Sequence, residues 1–144
     1  MTEVDQRLIG TWRLVSWLRI EAGGNRSEPL GPGSTGLITY TADGFMFAAL
    51  MAPGRKPFSG TDPFGGTAEE CHRAMSTGLS YCGRWRLKGD TLVHAVEMSM
   101  FPNWVGIEMV RTCRFEGDRV VVRTPPVDNN GVSVVFELVL RRAA

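Results

Sequence analysis

The fold is decided by YCGRWRLKGDTLVHAVEMSMFPNWVG, residues 81–106, in which two strand-like segments flank a tight turn. In residues 83–88, large apolar side chains alternate with basic ones. A period of two with one polar face is typical of an antiparallel sheet, because successive strand residues point to opposite sides. KGD at 88–90 supplies Gly and Asp, which tolerate the positive φ of a tight hairpin. The stretch therefore predicts a β-hairpin whose second strand covers residues 91–100.

The same pattern of short apolar segments and turn signals extends over the rest of the chain. The segments are rich in Val, Ile, Thr, Phe and Trp, which favour strands. Further turn signals are AGGN at 22–25, ADG at 42–44, EGD at 116–118 and DNNG at 128–131. The sequence predicts eight strands, over residues 10–20, 35–41, 44–51, 81–88, 91–100, 105–116, 119–125 and 132–142.

Eight antiparallel strands would leave two exposed edges if the sheet stayed open. Closure into a barrel removes both edges. The interior of an eight-stranded barrel is just wide enough for packed side chains or for one small ligand. We therefore predict an all-β fold, an eight-stranded antiparallel up-and-down barrel, as a single domain over residues 1–144.

One helix is predicted in TAEECHRAMSTGL, residues 67–79. Thr67 and Glu70 have the spacing of a capping box, which marks the start of a helix. Because residues 44–51 are apolar on both faces, we expect the helix to pack on the flank of the barrel and cover the outer side of that strand. The preceding segment 52–66 is rich in Pro and Gly and is predicted to be irregular. It is either a lid or binding loop, or a mobile connection.

Composition and charge argue against nucleic acid and membranes as partners. Hydrophobic residues make up 43% and charged residues 22% of the 144 residues, as in an ordinary soluble globular domain. The net charge of +1 gives no basic surface for nucleic acid. No apolar run approaches the roughly 18 residues that a helix needs to span a bilayer.

The N-terminus and the cysteines predict a cytoplasmic protein without a metal or other cofactor. MTEVDQRLIG, residues 1–10, carries acidic residues, Glu3 among them, and lacks the apolar core of a secretory signal. Cys71, Cys82 and Cys113 are odd in number and have no metal-ligand spacing, so we expect buried or half-buried free thiols in a reducing compartment. The sequence has no Gly-rich phosphate loop and no pair of catalytic carboxylates.

The first predicted strand contains Gly10-Thr11-Trp12, which resembles the Gly-x-Trp that opens the first strand of lipocalins and related barrels. In those proteins the Trp packs across the closed end of the barrel, and an Arg near the end of the last strand stacks on it. The resemblance implies this role for Trp12, with Arg141 or Arg142 as the stacking partner.

A more specific resemblance covers roughly residues 7–142. PLGPGSTGLITYTADGFM at 29–46, the stretch at 81–106 and LVLRR at 138–142 are similar to the bacterial and fungal lipocalin-like domain family. The resemblance implies a small closed barrel with a helix across one flank. Some members of the family look like binding proteins, and relatives in biosynthetic clusters look like cofactor-free isomerases or cyclases.

His94 is the main candidate functional residue. The larger and more apolar side chains of strand 91–100 share one face, which carries Leu92, His94, Val96, Met98 and Met100. We expect this face to line the interior, with Glu97 outside and Arg111 or Arg114 as its partner. Inside the barrel, His94 would be a neutral general base, a hydrogen-bond partner of a ligand, or a buried residue satisfied by a neighbouring hydroxyl. Burial would lower its pKa.

The other candidate site residues are aromatic, sulfur-containing or basic. Trp104, in the turn FPNW, either plugs a barrel end or forms a wall of the pocket mouth. Arg111 alternates with Met109 and Cys113, so it either turns inward, which makes the pocket attract anions, or lies outside. The predicted ligand-binding set is Tyr40, Phe47, Tyr81, Trp85, His94, Met98, Trp104, Met109 and Arg111.

Three functions remain open from the sequence. The first is a barrel that binds a small hydrophobic or aromatic molecule, with polar contacts from His94 and from Tyr40, Tyr81 or Arg111. The alternative is a cofactor-independent isomerase or cyclase of secondary metabolism with His94 as general acid or base. The third is a structural module whose interior is filled by its own side chains. A tyrosine or arginine within hydrogen-bond reach of His94 would favour the catalyst, and a homodimer is a further expectation.

Overall fold

The computed structural model describes residues 5–144, which form ten strands and one α-helix. Residues 1–4, with Glu3 of the predicted acidic N-terminus, lie outside the described residues. The strands are β1 (Gly10–Glu21), β2 (Arg26–Ser27), β3 (Thr35–Tyr40), β4 (Phe45–Met51), β5 (Gly78–Lys88), β6 (Thr91–Ser99), β7 (Glu108–Glu116), β8 (Arg119–Arg123), β9 (Val127–Asn129) and β10 (Val132–Arg142). The helix α1 (Ala68–Ser76) lies between β4 and β5, and Pro102–Trp104 form one 3₁₀ turn.

Eight of the strands form a closed antiparallel barrel. Around the barrel the order is β1-β3-β4-β5-β6-β7-β8-β10, and β10 pairs with β1 to close it. The predicted eight-stranded antiparallel barrel with one helix is therefore confirmed. The two remaining strands, β2 and β9, extend the sheet beside β1 and β10. The sequence does not predict them, because two or three paired residues have no detectable periodicity.

The two ends of the barrel are built differently. Tight hairpins after β3, β5 and β7 form one end, which we call the closed end. The longer connections after β1, β4, β6 and β8 form the other, which we call the open end. Two predicted strand boundaries are wrong at the open end. β5 begins at Gly78 rather than 81, because its first residues pair with the end of β4. β7 begins at Glu108 rather than 105, because Ile107 N still donates to Trp104 O at 3.2 Å within the turn.

The helix begins where the capping box predicts. Glu70 N donates to Thr67 Oγ1 at 3.1 Å, and Thr67 N donates to Glu70 Oε1 at 3.0 Å. The irregular segment 52–66 folds onto the helix, where Arg55 Nη2 donates to Ala74 O at 3.0 Å. Helix and segment lie beside β5 at the open end, and no residue of α1 is buried. The expected cover over the outer side of β4 is wrong, since Phe47 on that side is 52% exposed.

At the closed end, aromatic and aliphatic side chains fill the interior. Trp12 is buried, and its Nε1 donates to Leu8 O at 2.8 Å. The guanidinium carbon of Arg142 lies 4.1 Å from the centre of the Trp12 ring, and Arg142 Nη2 donates to Arg7 O at 2.7 Å. The predicted Trp and Arg stack is therefore formed, with Arg142 as the arginine. The guanidinium is thus held over the Trp12 ring by stacking and by hydrogen bonds to the backbone.

A β-bulge in β1 changes which side chains of that strand face inward. Leu14 and Ser16 pair with consecutive residues of β10, so Val15 is an extra residue in β1. Before the bulge, Trp12 and Leu14 pack into the core. After it, Trp17 faces the interior in place of Ser16. Strict alternation would place Ser16 inside, and the bulge reverses this because one extra residue shifts the alternation by one.

A second bulge, in β6, overturns part of the predicted interior face. Glu97 is the extra residue, and the register with β5 shifts there opposite Cys82 and Gly83. Beyond it Met98 and Met100 face outward and are 64% and 62% exposed. Their predicted interior position is wrong, because the bulge reverses the alternation on which it rests.

Candidate functional site

His94 lies inside the barrel between two tyrosines. It is 2% exposed, so its predicted interior position is confirmed. Its Nε2 lies 2.8 Å from the Tyr40 hydroxyl, and its Nδ1 lies 3.1 Å from the Tyr81 hydroxyl. In this Tyr40–His94–Tyr81 chain, Tyr40 lies on β3, Tyr81 on β5 and His94 on β6. β5 and β6 are neighbours in the sheet, and β4 is the strand between β3 and β5. A Tyr hydroxyl can donate and accept, so both imidazole nitrogens are satisfied.

The three members of this chain are neutral near neutral pH. Burial, with a smaller contribution from the Arg111 charge, lowers the pKa of His94 from 6.5 to about 3. A neutral imidazole has one N–H donor and one acceptor nitrogen, so one tyrosine donates to it and the other accepts from it. Burial also raises the pKa of Tyr40 and that of Tyr81 above their ordinary value. Both phenols therefore keep their protons.

A cavity of about 120 Å³ lies between this chain and the open end. Most of its wall is aromatic or aliphatic, with a few polar groups. The described residues that line it are Trp17, Ile38, Tyr40, Leu50, Leu79, Tyr81, His94, Trp104, Arg111, Val122, Thr124, Phe136 and Leu138. The predicted ligand-binding residues Tyr40, Tyr81, His94, Trp104 and Arg111 are thus brought together.

Arg111 turns inward, which decides between the two positions that the sequence allows. It is half-buried, lines the cavity, and its Nη2 donates to Met109 Sδ at 3.2 Å. No Asp or Glu of the described residues forms an ion pair with it. Glu97, for which Arg111 was one expected partner, is exposed and pairs with Arg84 at 3.7 Å. The ladder between β6 and β7 places Arg111 opposite Leu92 and ends at Ala95, before Glu97.

Trp104 forms one wall of the cavity near its mouth. Its ring meets that of Tyr81 edge to face, with centroids 5.5 Å apart, and that of Phe101 at 5.4 Å. Such edge-to-face pairs favour one ring orientation. Of the two predicted roles, the wall of the pocket mouth is the one observed.

Two predicted contacts, Trp85 and Met109, lie beneath the cavity and do not line it. Trp85 is buried, with Nε1 donating to Thr41 O at 3.0 Å and its ring edge-on to Tyr40 at 5.1 Å. Met109 is also buried and pairs with His94 across the sheet. Both residues fix the position of the tyrosine and histidine side chains above them.

The predicted contacts Phe47 and Met98 lie outside the barrel. Both line an apolar groove on the outer face of β3 to β6, together with Leu37 and Met100. Phe47 faces out because Met46 and Ala48 on either side of it are buried. Neither side chain can therefore contribute to the interior cavity.

Trp17 is a polar lining residue that the predicted ligand-binding set does not contain. It lines the cavity, and its Nε1 is buried with no hydrogen-bond partner among the described residues. The alternation of residues in β1 does not predict that Trp17 faces inward, because the alternation does not reveal the bulge at Val15. Phe136 and Leu138, which also line the cavity, could have been proposed from the regular alternation of β10.

Features that would suggest a metal site or a membrane span are absent from residues 5–144. No group of three or more His, Cys, Asp or Glu side chains is arranged to hold a metal ion within this range. None of its helices has the length and apolar character needed to cross a bilayer. The three cysteines are free thiols. Cys82 and Cys113 are half-buried and buried as predicted, but Cys71 is exposed because no face of α1 is buried.

Comparison with known proteins agrees with this architecture. Over 87 residues the chain is 34% identical to the 4'-hydroxy-3'-methoxypropiophenone carrier protein of Aspergillus oryzae (strain ATCC 42149 / RIB 40), which corresponds to 55% of this chain and 78% of the relative. No solved structure matches the chain. The model of the lipocalin-like domain matches residues 9–143. The closed barrel and this match over nearly the whole chain establish that the protein belongs to the lipocalin-like domain family.

Proposed function

We propose that the barrel binds a small aromatic molecule in the cavity beside His94. The observation that carries the proposal is a cavity of about 120 Å³ with a largely apolar wall at the open end of the barrel. A cavity of roughly 150 Å³ lined by Leu, Ile and Phe binds benzene in another protein, so one aromatic ring is a matching size. Ligand sites of this kind are concave, mostly apolar and equipped with a few polar groups that fix orientation.

The side chains of the wall divide into two groups with different roles. Trp17, Trp104 and Phe136 provide flat surfaces for an aromatic ring. Tyr81 and Arg111 provide hydrogen-bond donors to polar atoms of the ligand. Tyr40 and His94, held together at 2.8 Å, form a neutral floor.

The relative from Aspergillus oryzae supports a carrier in particular. Its name states that it carries 4'-hydroxy-3'-methoxypropiophenone. That compound has a single aromatic ring and a few polar atoms, which is the kind of molecule that an apolar wall with a few polar groups would bind. We extend to this chain only the class of ligand, a small aromatic ketone or a related compound.

Calorimetric titration with propiophenone tests the proposal. Leu138→Trp should fill the cavity and reduce the affinity at least tenfold, because Leu138 lines it. Val110→Trp adds the same side chain to the outer face of β7, where Val110 is exposed, and should leave binding unchanged. Absence of binding to the parent protein, or equal binding by Leu138→Trp, would contradict the proposal.

A second candidate is a cofactor-independent isomerase or cyclase of secondary metabolism. The Tyr40–His94–Tyr81 chain favours it, because the sequence criterion was a tyrosine or arginine within reach of His94. Both nitrogens of His94 are already engaged, and its pKa of about 3 makes it a weak base by itself. In this candidate Tyr81 would meet the substrate, and His94 would relay the proton behind it.

Hydrogen exchange at the carbon beside the ketone separates the two candidates. A catalyst should accelerate exchange of the α-hydrogens of propiophenone in D₂O, measured by NMR, and His94→Gln should abolish the acceleration with little loss of affinity. A carrier should leave the exchange rate at its solvent value. Equal loss of affinity and exchange in His94→Gln would also favour the carrier.

The homodimer and the cytoplasmic location stay predictions. Sedimentation velocity of the parent protein and of Phe47→Ser tests the first, because Phe47 is exposed in the apolar groove on the outer face. A monomer at all concentrations would contradict it. Cell fractionation tests the second.

A further inference from the structure

Two polar groups in the cavity wall, the indole N–H of Trp17 and the charge of Arg111, are not fully satisfied by the described residues. The Nε1–H of Trp17 is buried and has no acceptor among the described residues. The Arg111 guanidinium donates to the Met109 thioether and is hydrogen-bonded with Tyr81, but it forms no ion pair with a carboxylate of the described residues. A thioether is a weak acceptor, and a guanidinium has five donors. Buried donors without acceptors are costly, so their presence in one cavity wall calls for a partner.

The surroundings of Arg111 leave its positive charge unbalanced. The titratable groups that face the cavity with it are His94 of β6, Tyr81 of β5 and Tyr40 of β3. All three are neutral near neutral pH, because burial lowers the pKa of His94 and raises that of each tyrosine. β8 and β10 contribute no titratable side chain to the wall. Among the described lining residues, Arg111 therefore carries the only charge.

We propose, building on the proposed function, that the ligand is a small aromatic acid whose anionic oxygen accepts hydrogen bonds from Arg111 and from Trp17. A carboxylate or an ionised phenol has several lone pairs and can accept from both donors. The ring then occupies the apolar part of the cavity beside Phe136 and Leu138. One ligand would thereby supply an acceptor to the indole N–H of Trp17 and balance the charge of Arg111.

A graded set of ligands tests the proposal by calorimetry at neutral pH. Benzoate is an anion, benzamide is a neutral molecule of similar shape with an acceptor, and toluene has neither. We expect benzoate to bind roughly tenfold more tightly than benzamide, because hydrogen bonds to charged groups are stronger. Benzamide should in turn bind more tightly than toluene.

Two substitutions test whether Arg111 and Trp17 cause the preference for benzoate over benzamide. Arg111→Met keeps much of the side-chain length and should abolish the preference for benzoate over benzamide. Trp17→Phe keeps an aromatic surface and should weaken both of these ligands roughly threefold to tenfold while leaving toluene unchanged within about twofold. Arg114→Met is the matched control, because Arg114 is exposed on the same strand and pairs with Glu116 outside the barrel. It removes the same net charge and should keep the preference.

A titration with a phenol distinguishes the two possible anionic groups of the ligand, a carboxylate and an ionised phenol. The affinity for 4'-hydroxypropiophenone should rise as the pH increases through the pKa of its phenol, because only the ionised form has the negative charge. If affinity for this phenol is independent of pH while benzoate is preferred, the ligand class is the carboxylate. The cavity groups keep their protonation in this range, since the pKa values of Tyr40 and Tyr81 are raised.

The outcomes separate this inference from the proposed function. Binding of toluene and benzamide without any preference for benzoate in the parent protein would overturn the anionic ligand and leave the aromatic binding site intact. Failure of all three ligands and of propiophenone would overturn both. Thermal melting of each variant checks that it folds. If Arg111→Met does not fold, the ligand series on the parent protein still decides whether the site prefers an anion.

Discussion

Trp12 and Trp17 lie on the same strand, β1, at opposite ends of the barrel and in opposite circumstances. Trp12 is buried, stacks under Arg142 and donates its indole N–H to Leu8 O. Trp17 lines a cavity, and its buried indole N–H has no partner among the described residues. At the closed end the protein itself supplies the hydrogen-bond acceptor of the indole N–H. At the open end the indole N–H is left for an added molecule to satisfy.

The two arginines beside these tryptophans differ in the same way. At the closed end Arg142 donates to two backbone carbonyls, those of Arg7 and Ile9, and lies over an aromatic ring. At the open end Arg111 donates to the Met109 sulfur and is hydrogen-bonded with Tyr81, and no carboxylate of the described residues balances its charge. A charged group that the fold itself satisfies contributes to stability, whereas one left unsatisfied is a candidate for binding.

The largest expected effect is a loss of stability when the packing of the closed end is disrupted. Trp12→Ala should lower the free energy of unfolding by about 3–5 kcal/mol, because it removes a fully packed ring and leaves a cavity. Trp17→Ala should cost clearly less, because this ring is half-buried and borders space that is already empty. Urea denaturation of both variants measures the difference. Equal losses would mean that the two ends are not distinct in packing.

The next effect concerns the neutral histidine of the open end. The pKa of His94 is about 3 in the folded protein and 6.5 as its ordinary value, so between these values the unfolded state binds a proton that the folded state does not. Stability therefore falls as the pH is lowered, by about 1.4 kcal/mol per pH unit for this one proton. Between pH 6 and pH 4, unfolding measurements should show a steeper slope for the parent protein than for His94→Gln.

The control for this measurement is the other histidine. His72 is exposed on α1, and His72→Gln should keep the slope of the parent protein. The same slope in His94→Gln as in the parent would mean that the imidazole is accessible to protons in the folded state.

The smallest effect tests the bulge that shapes the open end. Gly83 lies beside the extra residue Glu97, and a Cβ at Gly83 would collide with the carbonyl oxygen of Ala95. Gly83→Ala should therefore lower the free energy of unfolding by about 1–3 kcal/mol. Gly23→Ala, where nothing lies within 4 Å, should change it by less than about 1 kcal/mol. A neutral Gly83→Ala would mean that β5 and β6 can separate there without loss.

Much of the fold could be predicted from the sequence, because it depends on local signals. Turn residues separate the strands, and strand alternation requires only a period of two, as in β5 and β10. The capping box of Thr67 and Glu70 marks the start of the helix within a residue. Of the site, the inward position of His94 followed from the same alternation, since it precedes the bulge in β6.

The parts of the site that could not be predicted lie beyond bulges or on strands with two apolar faces. Met98 was expected inside, but it follows the extra residue Glu97 and faces outward. Phe47 lies on a strand whose two faces are both apolar, so its direction depends on what covers each face. Trp17 was not proposed at all, because the bulge at Val15 turns it inward.

The amino-acid sequence by itself determined the class of fold and the order of the strands, because hairpin turns and strand periodicity act between neighbouring residues. The stack of an arginine on Trp12 was implied by the family resemblance. Only the tertiary structure decided which side chains meet in the cavity. A bulge is set by hydrogen bonding between two strands, and the inward turn of Arg111 beside Tyr81 and His94 depends on how the closed barrel distributes space. Contacts between residues on different strands cannot be read from the pattern of residues within one strand.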